Sequence, residues 1–386
     1  LKNSLVYQLI HSKRVYKVLN TIILLFFIEA CIDPVPPEFD FVEDLIIVDA
    51  LTSTLPGTTY ATVRKTILEF GIYKSEFVSG CKVYLINSKT QETISLIETE
   101  LNYLAPSDFK VDSGSEWEME VIMPDGKTYV SQSEIVPEVV PISNISENYN
   151  KEMRFDEANN KFIPGHEIRI NFQEPSDQEN YYYFQYRSYE KEIYCNICYN
   201  GVLRFGECIS QIENPQAKQY YTYTCDQACW QINYSQEITL FDDALTNGKS
   251  IENLLVARIP LNSKQDMLAE ILQLNITAQA HKYYKTIKDI VDNNGGFNAP
   301  LPSALIGNFY NPSDLEDPIL GRFTAAAASN QSLFVKRGSI TDQYVGYLRP
   351  PQSELFGDPL PNPLTYDAPC LENRNRTAIQ PPLWNP

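Results

Sequence analysis

Trp117-Glu118-Met119-Glu120-Val121-Ile122-Met123, running into Pro124-Asp125-Gly126-Lys127, decides the fold class. Side chains alternate across a strand, so Trp117, Met119, Val121 and Met123 share an apolar face while Glu118 and Glu120 turn to water. Asp125-Gly126 supplies the positive-φ residues of a tight hairpin, and residues 128–133 are expected to pair back. The same alternation recurs upstream. Leu45-Ile46-Ile47-Val48 is a short apolar run, and Cys81, Val83 and Leu85 alternate with Lys82, Tyr84 and Ile86. No helical pattern precedes residue 135. Residues 40–138 therefore read as an Ig-like β-sandwich, with Pro137 and Pro141 bracketing its end.

Residues 142–349 read as a second, larger β-rich domain, which makes the chain mainly β. Ile168, Ile170 and Phe172 alternate with Glu167, Arg169 and Asn171, and Glu174-Pro175-Ser176-Asp177 turns the chain into Tyr181-Tyr182-Tyr183-Phe184-Gln185-Tyr186. This aromatic run is expected to pack one face in the core and shield a sheet with the other, in preference to stacking a carbohydrate. One amphipathic helix stands out, with Tyr283, Ile287, Ile290 and Val291 on its apolar face, Thr277 as N-cap and Asn293-Asn294-Gly295-Gly296 as stop. The final stretch, 350–386, holds nine of the 25 prolines and reads as a wrapping or loosely ordered tail.

The N-terminus carries an address. Lys13, Arg14 and Lys17 precede an uncharged run from Val18 to Ile28, about half the length a membrane-spanning helix needs. That layout is a secretory signal over residues 1–30. Ile28-Glu29-Ala30-Cys31 then resembles the cleavage box of bacterial lipoproteins, which makes Cys31 the expected lipidated first residue of the mature chain. Residues 31–39, proline-rich, read as an extended tether. Cleavage would remove four basic residues and one acid, taking the formal charge from −18 to −21. Such acidity argues against nucleic acid as a partner.

Seven cysteines remain: Cys81, Cys195, Cys198, Cys208, Cys225, Cys229 and Cys370. In an oxidising compartment the last six are candidates for disulfides stapling an inserted excursion over about 190–230. Cys195-x-x-Cys198 with Cys225-x-x-x-Cys229 also has the makings of a zinc site or a redox dithiol, but the stretch lacks glycine-rich turns. No metal ligand set or other cofactor is therefore assigned. Cys370 is placed to pin the tail, and Cys81 reads as a free, buried thiol. Only His166 and His281 survive the signal, and both read as surface residues without a catalytic motif. No catalytic residue is assigned and no enzyme is expected.

Cys225-Asp226-Gln227-Ala228-Cys229-Trp230, Leu274-Asn275-Ile276-Thr277, Tyr283-Tyr284-Lys285-Thr286, Gly295-Gly296-Phe297 with Pro300, Gly307-Asn308-Phe309 and Pro318-Ile319-Leu320-Gly321-Arg322-Phe323 go further. With the Cys31 box, they resemble a family of Bacteroidota outer-membrane lipoproteins classed as a domain of unknown function. Genes of that family commonly sit beside those for SusC-like TonB-dependent transporters. The resemblance implies a protein anchored to the outer membrane, on its periplasmic or cell-surface face, that serves such a transporter as ligand-binding or accessory subunit. The competing expectations are a structural or adhesive surface lipoprotein without a small ligand and, further off, a secreted hydrolase using paired carboxylates.

Overall fold

The computed structural model describes residues 44–157, 159–199, 201–204, 207–210, 221–293, 305–345, 370 and 374–384; for most of 193–227 this means backbone only. The expected signal, the tether with Cys31, Gly295-Gly296 and most of the tail lie outside the described residues. The described residues belong to one compact unit.

Nine strands come first: β1 (Ile46–Ser53), β2 (Tyr60–Glu69), β3 (Ile72–Phe77), β4 (Lys82–Asn87), β5 (Thr93–Glu98), β6 (Tyr103–Leu104), β7 (Glu116–Ile122), β8 (Thr128–Ser131) and β9 (Glu134–Ile135). The apolar face of β7 is buried, as its alternation requires. Its hairpin to β8 differs in detail from the two-residue turn expected. Met123 N–H bonds to Lys127 C=O at 2.8 Å, three residues lie between, and only Gly126 takes a positive φ.

The second half contributes β10 (Ile142–Asp156), β11 (Lys161–Gln173), β12 (Tyr181–Tyr199), β13 (Gly201–Arg204), β14 (Glu207–Ser210), β15 (Tyr221–Tyr234), β16 (Thr239–Asp242), β17 (Ser250–Pro260) and β18 (Met267–Ile276). Then follow α1 (Ala278–Asn293), β19 (Phe309–Tyr310), β20 (Ile319–Val335) and β21 (Arg376–Thr377). The chain is mainly β with one described helix.

Strand β20 joins the halves. Residues 319–326 pair in parallel with β1, and residues 327–335 pair antiparallel with β18. The N-terminal sandwich therefore buries Phe309, Phe323, Ala325 and Ala327 beside Val48, Val63, Leu85 and Met119. Beyond β1, the sheet β20-β18-β12-β15 packs one face on β10-β11-β17 through Ile168, Ile170, Phe172, Tyr182 and Phe184. Its other face carries α1. Tyr181 and Tyr183 lie under that helix, Tyr183 stacking on Tyr284 at 4.6 Å, so the aromatic run of β12 is covered on both sides. Covered faces explain why β18 reads as a nearly continuous apolar run.

Thr277 caps α1, its Oγ1 accepting Ala280 N–H at 3.2 Å. Ala280, His281 and Tyr283 are buried there, but Val291, expected on the same face, is exposed in the last turn. Both histidines are buried, contrary to the surface reading. His166 sits on β11 inside the second sandwich, and His281 is pressed against Tyr181 at 5.2 Å. Desolvation pushes the His281 pKa down.

Candidate functional site

Among the described residues, three of the polar or aromatic clusters bear on a site. The first is the junction where α1 starts. Arg322 on β20 bonds to Glu134 on β9, both buried, and Thr277 donates to the other carboxylate oxygen at 2.8 Å. Burial pushes the Glu134 carboxyl above its ordinary value, against the pull of Arg322. Asn308 locks the neighbouring strand, accepting Phe323 N–H at 2.8 Å and donating to Phe323 C=O at 2.9 Å. Gly321 has φ +102°, and a Cβ there would lie 2.0 Å from Val48 C=O; one on Gly307 would lie 1.8 Å from Gly321 C=O. Three backbones meet where only glycine fits. This cluster is sealed and structural.

The second cluster holds His166. Arg337, wholly buried, donates from Nε to His166 Nε2 at 2.9 Å, so Nδ1 carries the proton and donates to Glu147 at 2.6 Å. Arg337 also pairs with buried Glu190 at 2.9 Å, and Ser263 donates to Glu190 at 2.6 Å. A histidine acting as general base needs a free ring nitrogen facing a substrate or nucleophile. Both nitrogens of His166 are spent inside the fold.

The third cluster is open. On the face of β12 that also carries Tyr181 and Tyr183, Tyr189 stands beside Ile232 and Tyr234 of β15, and residues 374–382 of the tail lie alongside. β21 pairs with β15 through Trp230↔Thr377 and Gln231↔Arg376, and Ile232 N–H bonds to Asn375 C=O at 2.7 Å. Trp384 packs edge-on against Trp230 and Phe334. Cys229 and Cys370 are joined by a disulfide with Cα atoms 5.8 Å apart. Between tail and sheet remains an open groove of about 430 Å³. Arg374 lies over the Tyr234 ring at 5.3 Å, and Arg187 over Tyr189 at 5.6 Å. Burial lifts the Tyr189 pKa to about 12, so its hydroxyl stays a hydrogen-bond donor at any ordinary pH. Among the described residues no carboxylate lines the groove.

Of the cysteines singled out in the sequence, Cys195 and Cys198 lie on β12, Cys208 on β14 and Cys225 on β15, with side chains outside the description. The excursion that carries them is a long antiparallel arm, β12 against β15, with β13-β14 at its end. Cys81 is free and buried, and desolvation raises its pKa. Among the described residues no group of three or more His, Cys, Asp or Glu is placed to hold a metal, and no helix is long and apolar enough to cross a membrane. Sequence reasoning missed the groove residues Tyr189, Ile232, Tyr234 and Arg374. The one available signal was Cys370, which ties the tail to β15.

With this geometry in hand, one comparison is decisive: a family model matches residues 32–332. The chain belongs to the DUF4249 family, a domain of unknown function. No curated protein and no solved structure matches it. The DUF4249 match opens at the residue after Cys31 and stops inside β20, so the sheet wall of the groove lies within it and the tail wall beyond.

Proposed function

We propose that this DUF4249 protein is a lipid-anchored outer-membrane lipoprotein that captures a small amphipathic ligand in the tail groove and serves a SusC-like TonB-dependent transporter. The observation that carries ligand capture is the groove itself. Ile232 and Ile379 with Pro381 give it apolar walls, while Arg374 over Tyr234 offers a cation beside an aromatic face. Such a mixture suits a ligand with one apolar face and one anionic group. Anchoring is supported by the box ending at Cys31 and by a family match that begins directly after it. The transporter is drawn from the family resemblance. The two-carboxylate hydrolase gains no support here, since among the described residues no pair of acids lines the groove.

Calorimetry or thermal shift against glycans, short peptides and metal chelates tests the groove. At least one ligand is expected to raise the melting temperature of the wild type and not that of Tyr234→Ala. No shift across the panel would leave a spacer or adhesive lipoprotein as the better account. Affinity purification from native envelopes tests the partner, with a co-purifying β-barrel expected.

A further inference from the structure

The tethered end of the folded unit also carries an apolar spike. Chain entry is fixed there: Asp44 N–H bonds to Thr66 C=O, and Thr66 N–H to Leu45 C=O, each at 3.0 Å. The β2–β3 hairpin continues past this point for three residues and turns at Phe70-Gly71, because Glu69 pairs with Ile72. At about 3.3 Å per residue, its tip stands roughly 15 Å beyond the chain's entry. The tip is apolar and unpacked. Phe70 is 95% exposed, and Leu68 and Ile72 beside it are also exposed.

The backbone makes this placement costly. Phe70 has φ +51° and Gly71 φ +76°, the pair of values a two-residue type I′ turn demands, and Asn is the residue that ordinarily fills the first position. A bulky aromatic with positive φ is an outlier, and such strain points to a use for the side chain. Beside the turn Lys74 pairs with Glu69 at 2.6 Å, and at the base of the hairpin Lys65 pairs with Asp44 at 3.7 Å. A second exposed apolar residue, Leu315, lies in the loop just before Ile319, which pairs with Ile46 at the same end.

Resting on the lipidation of Cys31 proposed above, we infer that the Phe70 hairpin tip is a second membrane contact, dipping into the bilayer that holds the acyl anchor. Residues 32–43 number twelve and reach at most about 40 Å, so the anchor hangs from the base of this hairpin. Phe, Leu and Ile are the side chains that partition into the headgroup–acyl boundary. Asp314 and Glu316 flank Leu315, so neutral bilayers are preferred over anionic ones.

The test uses the full lipidated chain on phosphatidylcholine–phosphatidylethanolamine vesicles, with and without brominated acyl chains. Flotation reads the anchor, and tryptophan emission reads the tip. Phe70→Trp is expected to lose emission in brominated vesicles. Phe162→Trp, on the β10–β11 hairpin at the opposite end of β20, is expected to keep it. A floating protein whose Phe70→Trp emission is unquenched, or is quenched no more than that of Phe162→Trp, overturns the tip contact and leaves lipidation standing. A wild-type chain that does not float overturns the anchor and this proposal with it. Phe70→Asn, which suits the turn, keeps the fold while removing the apolar tip. Its flotation should match the wild type, with a Leu68→Trp probe in that background less quenched than in Phe70.

Discussion

The junction around Arg322 and the wall that the tail builds over β15 both join segments far apart in sequence, yet different physics holds them. At the junction, Val48, Gly307 and Gly321 bring three backbones together with no room for a Cβ, buried Glu134 accepts from Arg322 and Thr277, and Asn308 bonds to the Phe323 backbone. The tail is held by a two-residue strand, one aromatic contact cluster and one disulfide. All the junction residues lie inside the matched range 32–332, whereas the tail lies outside it. The junction is fixed by backbone contact and buried charge, whereas the tail is strapped on from outside the shared family range.

The largest expected effect is at Gly321. In Gly321→Ala the new methyl meets Val48 C=O on a backbone that already needs a positive φ, and the expected loss is about 4 kcal/mol or more. Soluble yield and urea unfolding check it; a loss below about 1 kcal/mol would show that β1 and β20 can separate slightly, and the contrast with the tail would break. Arg322→Met comes next. It strands Glu134 in the interior, and breaking one side of a buried pair costs about 3–5 kcal/mol. The double variant Arg322→Met, Glu134→Leu is expected to recover most of that loss.

The tail should behave differently. Cys370→Ser removes a bridge closing 141 residues, at a cost of about 2–4 kcal/mol. The readout that sharpens the comparison is local: limited proteolysis is expected to cut the tail while the core from β1 to β20 resists. Simultaneous digestion of both would mean that the strap belongs to the same cooperative unit as the junction.

Much of this was legible in the sequence and some was not, for definite reasons. Period-2 alternation found β7, β11 and the buried face of β4, because a sheet with one wet face writes its orientation into every second residue. It did not find β20. There Ala325-Ala326-Ala327-Ala328 lies between two cores, Ala325 and Ala327 facing one and Ala326 and Ala328 the other, so small residues replace alternation. Alanine's own preference is for helix, and tertiary packing overrides it. The motif that marked the family, Gly307-Asn308-Phe309 and Gly321-Arg322-Phe323, proved to be joinery. His166 looked like a surface residue since nothing local announces that Arg337, 171 residues on, takes its ring nitrogen. The groove was hidden in the same way, its two walls lying 141 residues apart at the Cys229–Cys370 bridge and pairing through a strand of only two residues.

The smallest effect asks whether Arg322 is what makes buried charge tolerable at the junction. Glu174 is the control, a buried carboxylate to which Tyr182 donates at 2.8 Å and Asn180 at 2.7 Å. Desolvation raises its pKa, and Asp243 pushes the same way. The folded protein therefore holds this proton to higher pH than the unfolded chain, whose glutamate titrates near 4.3. Stability from this group is intact below that value, falls as pH rises through the window up to the folded pKa, and is flat beyond it. Glu174→Gln has no such charge to bury. Denaturant unfolding at pH 4 should find the two proteins alike, and at pH 8 should find the variant more stable by on the order of 1 kcal/mol. If the wild type instead gains on the variant as pH rises, hydrogen bonds from Tyr182 and Asn180 suffice to hold a bare carboxylate, and Arg322 is not needed to explain Glu134.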